Sequence, residues 1–403
     1  MAIVRPFKAI RPTRDKVHLF ASRSYLSYTD ETLKEKLEHN PFTFLHIINP
    51  EYKKKNKKSG IEKFKLVKKK FDEFKQNKIL KRDSRNAFYL YRQTRETHVF
   101  EGIIAACSVT DYLNGTIKVH EHTLTKREKL FKDYLDITGF NADPVLLSYK
   151  DNTTISEVIN VISKTRAEFD FTTTNKVQHE LWLIDTEQDI HTITDAFNKL
   201  DNIYIADGHH RCASSALLSK EKSSDNSNYF MSYLIGESQL KIINFNRLVK
   251  SLNGLTVAEL LKKIASSFIL KEVTAHTYTP TELNEISMYL AGKWYSLIVK
   301  DCIIKTDLVS QLDPAILSAT ILAPILNITD EKTDKNISFE AGTTPLAVLK
   351  EKVDNGEFTV AFILKPIPID AIKEVADNNM IMPPKSTYIE PKLRSGITIY
   401  PID

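Results

Sequence analysis

The chain has 403 residues, 42% of them hydrophobic and 27% charged, a water-soluble globular composition with room for two or three domains. The net charge of +5 is local: residues 51–82 hold 14 Lys/Arg against 4 Asp/Glu, a balance of +10, so the rest of the chain carries −5. That distribution excludes a basic nucleic-acid surface running through the protein, and three scattered cysteines, Cys107, Cys212 and Cys302, exclude a disulfide scaffold and a zinc-ligand spacing.

The first residues, MAIVRPFKAIRPTRDK, carry charges and prolines where a signal peptide needs an apolar stretch. No apolar run reaches the ~18 residues of a membrane span, so a cytoplasmic protein is expected. Residues 53–60, KKKNKKSG, read as a charged loop. Residues 61–80 follow as an amphipathic helix, with Phe64, Val67, Phe71 and Phe74 on one face and lysines on the other. Its lysine face reads as a solvated surface, not a nucleic-acid contact.

Residues 88–122 are β-rich. Asn114-Gly115 is the strongest hairpin signal in the chain, placing His120 and Glu121 at the end of the strand that starts near Thr116. A helix is expected from Thr125 to about Ile137, with Thr123 or Thr125 as its cap and Glu128 three residues after Thr125, as in a capping box. A short strand, ADPVLLSY, precedes a helix near 154–164; the strand QHELWLID precedes another near 192–200. Residues 220–228 read as an exposed polar loop before the strand YFMSYLIG. Beyond about residue 240 the pattern changes to a helix in TVAELLKKIASSF, a hairpin around Gly292, and an apolar helix opening at Asp313-Pro314. Near the C-terminus, Pro383-Pro384 stiffens the chain before Lys385, Ser386 and Thr387 and a last β-hairpin.

Three polar clusters carry chemistry. In IYIADGHHRCASSAL a strand runs through a tight loop into a helix, so helix N–H groups converge on one spot and favour an anion. Asp207, Gly208, His209, His210 and Arg211 line that spot. This set suits a phosphate, and Asp207 can also hold a metal ion or accept a proton. The bland alternative makes Asp207 a helix cap and Gly208 a turn residue. His120 and Glu121 form the second cluster; on a strand, His120 and His122 face opposite to Glu121, so the three do not converge as metal ligands. Lys385, Ser386 and Thr387 form the third, able to grip a phosphate or carboxylate or to serve only as a stiff turn. Walker A, dinucleotide, zinc-protease and serine-hydrolase signatures are absent from the sequence. Cys212 reads as a small buried residue at a helix start, not a nucleophile.

The segments VRPFKAIRP, GIIAACSVTDYLNGTIKVHEHT, NADPVLLSY, HELWLI, YIADGHHR, LDPAIL and MPPKSTYIEPKLRSGI resemble the domain of unknown function 1015 family nearly end to end. Two places depart from its common pattern: Cys212 stands where an aromatic residue is frequent, and ASRSYLSY lacks a proline found in many members. The central motif is similar to the phosphate loop of the ParB/sulfiredoxin-like superfamily, and within it to archaeal ADP-dependent kinases of free serine. The kinase resemblance covers residues 85–240. It implies an α+β fold with a ParB/sulfiredoxin-like mixed core and an additional C-terminal α+β region. The expected division is 1–85 with the basic helix, 86–240 as the phosphate-binding core, and 241–403 as the C-terminal domain.

The resemblance further implies phosphoryl transfer on serine, phosphoserine or a similar small hydroxy metabolite, as kinase or phosphatase. Glu121, Asp207 and His209 would be catalytic, with Glu121 the base. Gly208, His209, His210 and Arg211 would bind phosphate or nucleotide. His120, Lys385, Ser386 and Thr387 would bind substrate. Mg²⁺, held through Asp207, and ADP or ATP are the expected cofactors. The expected partners are a small phosphoester or amino acid and a nucleotide, without nucleic acid or membrane. The rival reading is a nucleotide-binding regulatory or DNA-associated ParB-like module without catalysis; the sequence shows no helix-turn-helix after the core to support DNA binding.

Overall fold

The computed structural model describes residues 1–403, apart from the Leu26 side chain. The chain forms two compact units. One comprises Met1–Leu240 with Pro391–Asp403, the other Lys241–Glu390. Both mix helices and strands, so the fold class is α+β as expected.

Among the described residues the first unit is built on a nine-stranded sheet. Its order is Ile117–Lys118, Ile203–Asp207, Val145–Tyr149, Tyr229–Gly236, His98–Ser108, Phe88–Arg95, Val177–Ile184 and Phe169–Thr172, with Val4–Arg5 added against His98–Ser108. Two pairings are parallel, Ile203–Asp207 with Ile117–Lys118 and Tyr229–Gly236 with Val145–Tyr149. The strands near the centre are apolar almost throughout because they are covered on both faces. Phe88, Leu90, Ile103, Ala105, Val145, Leu147, Trp182, Ile203 and Ile205 meet residues of the helices Thr153–Ile162, Glu187–Asn198 and His209–Glu221 in one core. A second cluster joins Phe20, Phe44, Phe71, Phe74, Phe140 and Ile399. It buries the apolar stripe of the lysine-rich helix Gly60–Gln76, while most of the helix's lysines stay exposed. That helix is the solvated surface helix its periodicity predicts.

The second unit carries a six-stranded antiparallel sheet in the order Phe268–Val273, Lys293–Val299, Glu285–Leu290, Val360–Ile363, Phe245–Val249 and Ile337–Ala341. The Gly292 hairpin forms as expected. The helix opened by Asp313-Pro314 runs Asp313–Leu317 and widens into a π-turn at Ser318–Leu322, shorter than its apolar run suggested.

Local expectations fail where a turn-forming pair serves another purpose. Asn114 and Gly115 do not join a hairpin. They end the helix Val109–Leu113, with Asn114 as its cap and Gly115 at φ +83°. Residues tolerant of positive φ suit helix ends as well as hairpin turns. The Thr125–Glu128 capping box is also absent: the cap is Leu124, and Glu128 accepts from the Thr123 hydroxyl instead. The last strands do not pair with each other. Tyr388–Glu390 pairs with Lys241–Ile243 in the second unit, and Tyr400–Pro401 pairs with Phe140–Asn141 in the first. The helix expected near 192–200 begins earlier, at Glu187, capped by Thr186. Among the described residues no helix is long and apolar enough to cross a membrane.

Candidate functional site

The strand Ile203–Asp207 is bulged between Ile205 and Asp207. The bulge turns the chain into the helix His209–Glu221 through Gly208, whose φ of +110° excludes an ordinary L-residue. A Cβ on Gly208 would also lie 3.3 Å from the Arg211 guanidinium and 3.4 Å from Val145. The loop thus closes tightly over its own arginine, and the positive end of a 13-residue helix dipole points from it. The first N–H groups of such a helix have no intrahelical acceptor, an arrangement that favours an anion.

His209, 4% exposed, turns inward and meets His120, 1% exposed, edge to face at 4.6 Å between ring centroids. The backbone N–H of His120 donates to His209 Nε2 at 3.4 Å. That bond puts the proton of a neutral His209 on Nδ1, and Nδ1 lies 3.6 Å from Glu121 Oε2. Burial holds His209 well below its ordinary pKa, and the neighbouring His120 lowers it further while Asp207 opposes. Burial likewise pushes His120 down to about 4. Both imidazoles are therefore neutral near pH 7. His120 Nδ1 and Nε2 are both buried without a hydrogen-bond partner. Glu121 sits at the mouth with its side chain 44% exposed, and His122 is exposed outside it.

Asp207 is half-buried and accepts from Lys392 Nζ at 2.8 Å. Burial would raise its pKa, but the charges of Lys392 and Arg211 outweigh that and hold it below the usual carboxylate value. Arg211 donates to the carbonyls of Pro144 and, at 3.4 Å, Asp143. Ser395 Oγ in turn donates to the Asp143 carboxylate. The Arg211 guanidinium is thus fixed beneath the loop by backbone oxygens, and among the described residues it makes no salt bridge. His210 is half-buried on the first helical turn. Cys212 is fully buried, and burial raises its thiol pKa, which leaves it inert.

The structure therefore gathers His120, Glu121, Asp207, Gly208, His209 and Arg211 in one place. Lys385, Ser386 and Thr387 belong to the second unit. There the Ser386 hydroxyl, 3% exposed, donates to Pro383 O at 2.7 Å, and Lys385 lies over the Phe245 ring at 5.0 Å. These contacts use that segment as a stiff turn. Sequence reasoning missed Lys392 and Ser395, which reach the loop from the far end of the chain; KLRSG within the C-terminal motif holds both. Among the described residues no group of three or more His, Cys, Asp or Glu is placed to hold a metal ion. Asp207, the expected ligand, is instead engaged by an ammonium, so these side chains do not fit a protein-built Mg²⁺ site.

No curated protein matches the chain. Among solved structures, SbnI from Staphylococcus aureus with a C-terminal truncation is 14% identical, with 74% of this chain and 87% of that one covered at a TM-score of 0.41. A free serine kinase in complex with AMP is 12% identical, covering 73% and 92% at 0.38. A conserved hypothetical protein from Pyrococcus furiosus is 14% identical, covering 76% and 96% at 0.38. These distant likenesses transfer no residue roles. The sequence pattern of the family described as "Protein of unknown function (DUF1015)" matches residues 4–315, and the chain belongs to that family.

Proposed function

We propose that this protein is a phosphoryl-transfer enzyme acting on serine, phosphoserine or a similar small hydroxy metabolite. The observation that supports it is the 3.6 Å approach of the Glu121 carboxylate to His209 Nδ1 on the anion-binding loop. A carboxylate beside a phosphate cradle is the minimum that such chemistry requires, because the reaction is mostly positioning plus one proton acceptor. The loop and helix start at Gly208–Arg211 hold the phosphates of ADP or ATP. The acceptor hydroxyl loses its proton to Glu121 as its oxygen bonds to the terminal phosphorus, and the bond from that phosphorus to the nucleotide's bridging oxygen breaks. Neutral His209 presents Nδ1–H towards Glu121 and orients it. Phosphoserine with water in place of the acceptor hydroxyl gives the phosphatase direction, with the serine oxygen leaving.

The test is product formation from serine with ADP or ATP, and from phosphoserine with water, with and without added Mg²⁺, for wild type and Glu121→Gln. Wild-type turnover that falls by about 10²–10⁴-fold in the variant supports the base role. Full activity in Glu121→Gln overturns it. Nucleotide binding with no turnover of either substrate favours the non-catalytic regulatory module instead.

A further inference from the structure

The helix His209–Glu221 carries the Gly208 loop at one end, and a second polar site lies at the other. The Ser227 hydroxyl, 2% exposed, donates to Lys222 O at 2.7 Å, which fixes the turn Asp225–Asn228 against the C-terminal end of that helix. The helix has 13 residues, about 20 Å at ~1.5 Å each, and that length separates the turn from Gly208. Beside the turn is a cavity of about 170 Å³. Its lining comes from four separate stretches of the first unit and includes Arg5, Lys8, Arg82, Asp225 and Tyr400.

The floor of this cavity is built from buried and bonded side chains. Tyr400, 1% exposed, donates from Oη to Asn226 O at 2.9 Å and meets the Phe7 ring edge to face at 5.1 Å. Arg5 lies over the Tyr229 ring at 3.5 Å, and its two terminal nitrogens donate to Asp225 Oδ2 at 2.7 Å and Asn226 Oδ1 at 3.2 Å. Arg5 is thus held in place with its charge offset by one carboxylate. Asp225 is the one acidic residue of the lining, against the three cations Arg5, Lys8 and Arg82. Asp83, next in the chain to Arg82, is engaged by Arg11 at 2.7 and 2.8 Å. The Lys8 and Arg82 side chains make no ion pair among the described residues. Two cations therefore line the cavity uncompensated, and the Asn86 amide adds a neutral donor. Three cations around one carboxylate form a positive concavity, which attracts an anion.

We propose that this cavity binds a small tetrahedral dianion of the phosphate type, as a site separate from the Gly208 loop. Its volume equals that of about five waters at ~30 Å³ each, room for such an ion but too little for a nucleotide. Two uncompensated cations match two negative charges, and the planar Arg82 guanidinium offers two parallel N–H groups to two oxygens. The site does not rest on the phosphoryl-transfer reading, because none of its lining residues belongs to the Gly208 loop or its neighbours Glu121 and His120.

The experiment is titration calorimetry of the full chain with inorganic phosphate, sulfate and acetate, at low ionic strength, where exposed charges are least screened. The variants are Lys8→Gln, Arg82→Gln, the two together, and Asp225→Asn; all three side chains are exposed, so the core stays intact. Wild type is expected to bind phosphate and sulfate at least about tenfold more tightly than acetate, the effect of the second charge. Lys8→Gln and Arg82→Gln should each weaken that binding about fivefold, the scale of one exposed ion pair, and the double variant by about the product. Asp225→Asn should tighten it by a similar factor, because a repelling carboxylate is lost and Arg5 is released; a purely structural role for these residues gives no such gain. Phosphate held by the Gly208 loop appears as a separate binding event that the four variants leave in place. No phosphate or sulfate binding by wild type overturns the site, and so does a single event that ignores all four variants. Acetate bound as tightly as sulfate overturns the dianion assignment. Binding that follows Lys8, Arg82 and Asp225 in a protein that turns over no phosphoester keeps this site and overturns phosphoryl transfer.

Discussion

Burying a polar atom without a hydrogen-bond partner costs about 1–3 kcal/mol, and His120 does so at both ring nitrogens. A leucine there fills a similar space with nothing to satisfy. His120→Leu is therefore expected to be as stable as wild type or more stable by up to about 1 kcal/mol, while stabilisation by added ADP disappears. Thermal unfolding with and without ADP checks both halves; a clear loss of stability with ADP stabilisation intact would make His120 a packing residue. At this scale the loop itself was readable in the sequence, because Asp207 to Arg211 are adjacent and Gly208 marks the positive φ. The placement of Glu121 beside His209 came from resemblance alone, since 121 and 209 share no local pattern. Lys392 and Ser395 escaped notice for a related reason: a lysine and a serine look like surface residues until the fold buries or pairs them.

Elements depend on contacts that single residues make possible. Gly102 lies where Tyr229–Gly236 crosses close to His98–Ser108, and a Cβ on it would run into the Leu234 carbonyl and stand 2.9 Å from the Tyr233 ring. Gly102→Ala must push two central strands apart and is expected to cost about 1–3 kcal/mol, the range for overpacking; chemical denaturation measures it, and a neutral change would mean that the sheet yields there. The N-terminal strand Ile10–Pro12 is anchored differently. Arg11 makes two bonds of 2.8 and 2.7 Å to Asp83 with both side chains nearly buried, and Tyr89 Oη donates to the same carboxylate at 2.8 Å. Arg11→Met leaves Asp83 charged and unpaired beside the core, at an expected cost of about 3–5 kcal/mol. The double variant Arg11→Met/Asp83→Leu should recover much of it, and failure to recover would assign the loss to packing. Periodicity found the long elements, such as the helix Gly60–Gln76 and the strand Val177–Ile184, because one face or both faces had to be apolar. It misjudged Asn114-Gly115 because the same backbone freedom ends a helix or turns a hairpin, and only the partner strand decides which.

The buried histidines of the first unit and the buried Asp313 of the second are expected to respond to acid in opposite senses. Ten of the eleven histidines lie in the first unit, and only His276 lies in the second. Burial lowers His120 to about 4 and His179 to about 3. A histidine with a depressed folded pKa contributes fully above its unfolded value near 6.5 and loses that contribution as pH falls towards the folded value. For His120 alone the loss between about pH 6.5 and 4 is about 3 kcal/mol. The second unit holds Asp313, 6% exposed, which burial raises to about 6 although the Asn284 N–H and Lys365 oppose it. A carboxyl with a raised folded pKa stabilises below its unfolded value and loses that stabilisation as pH rises through the folded one. Asp313 therefore adds about 3 kcal/mol as pH falls from about 6 to 4. Glu285, held near 2 by Ser296, Tyr278 and backbone N–H bonds against the effect of burial, opposes this only at lower pH. Calorimetric scans at pH 7, 5.5 and 4.5 are expected to show one transition moving down and the other holding or moving up. Asp313→Asn should remove the rise without changing the fall, and His179→Phe should weaken the fall without changing the rise. Two transitions that shift together at every pH would show that the units unfold as one and that these buried groups do not set the acid response.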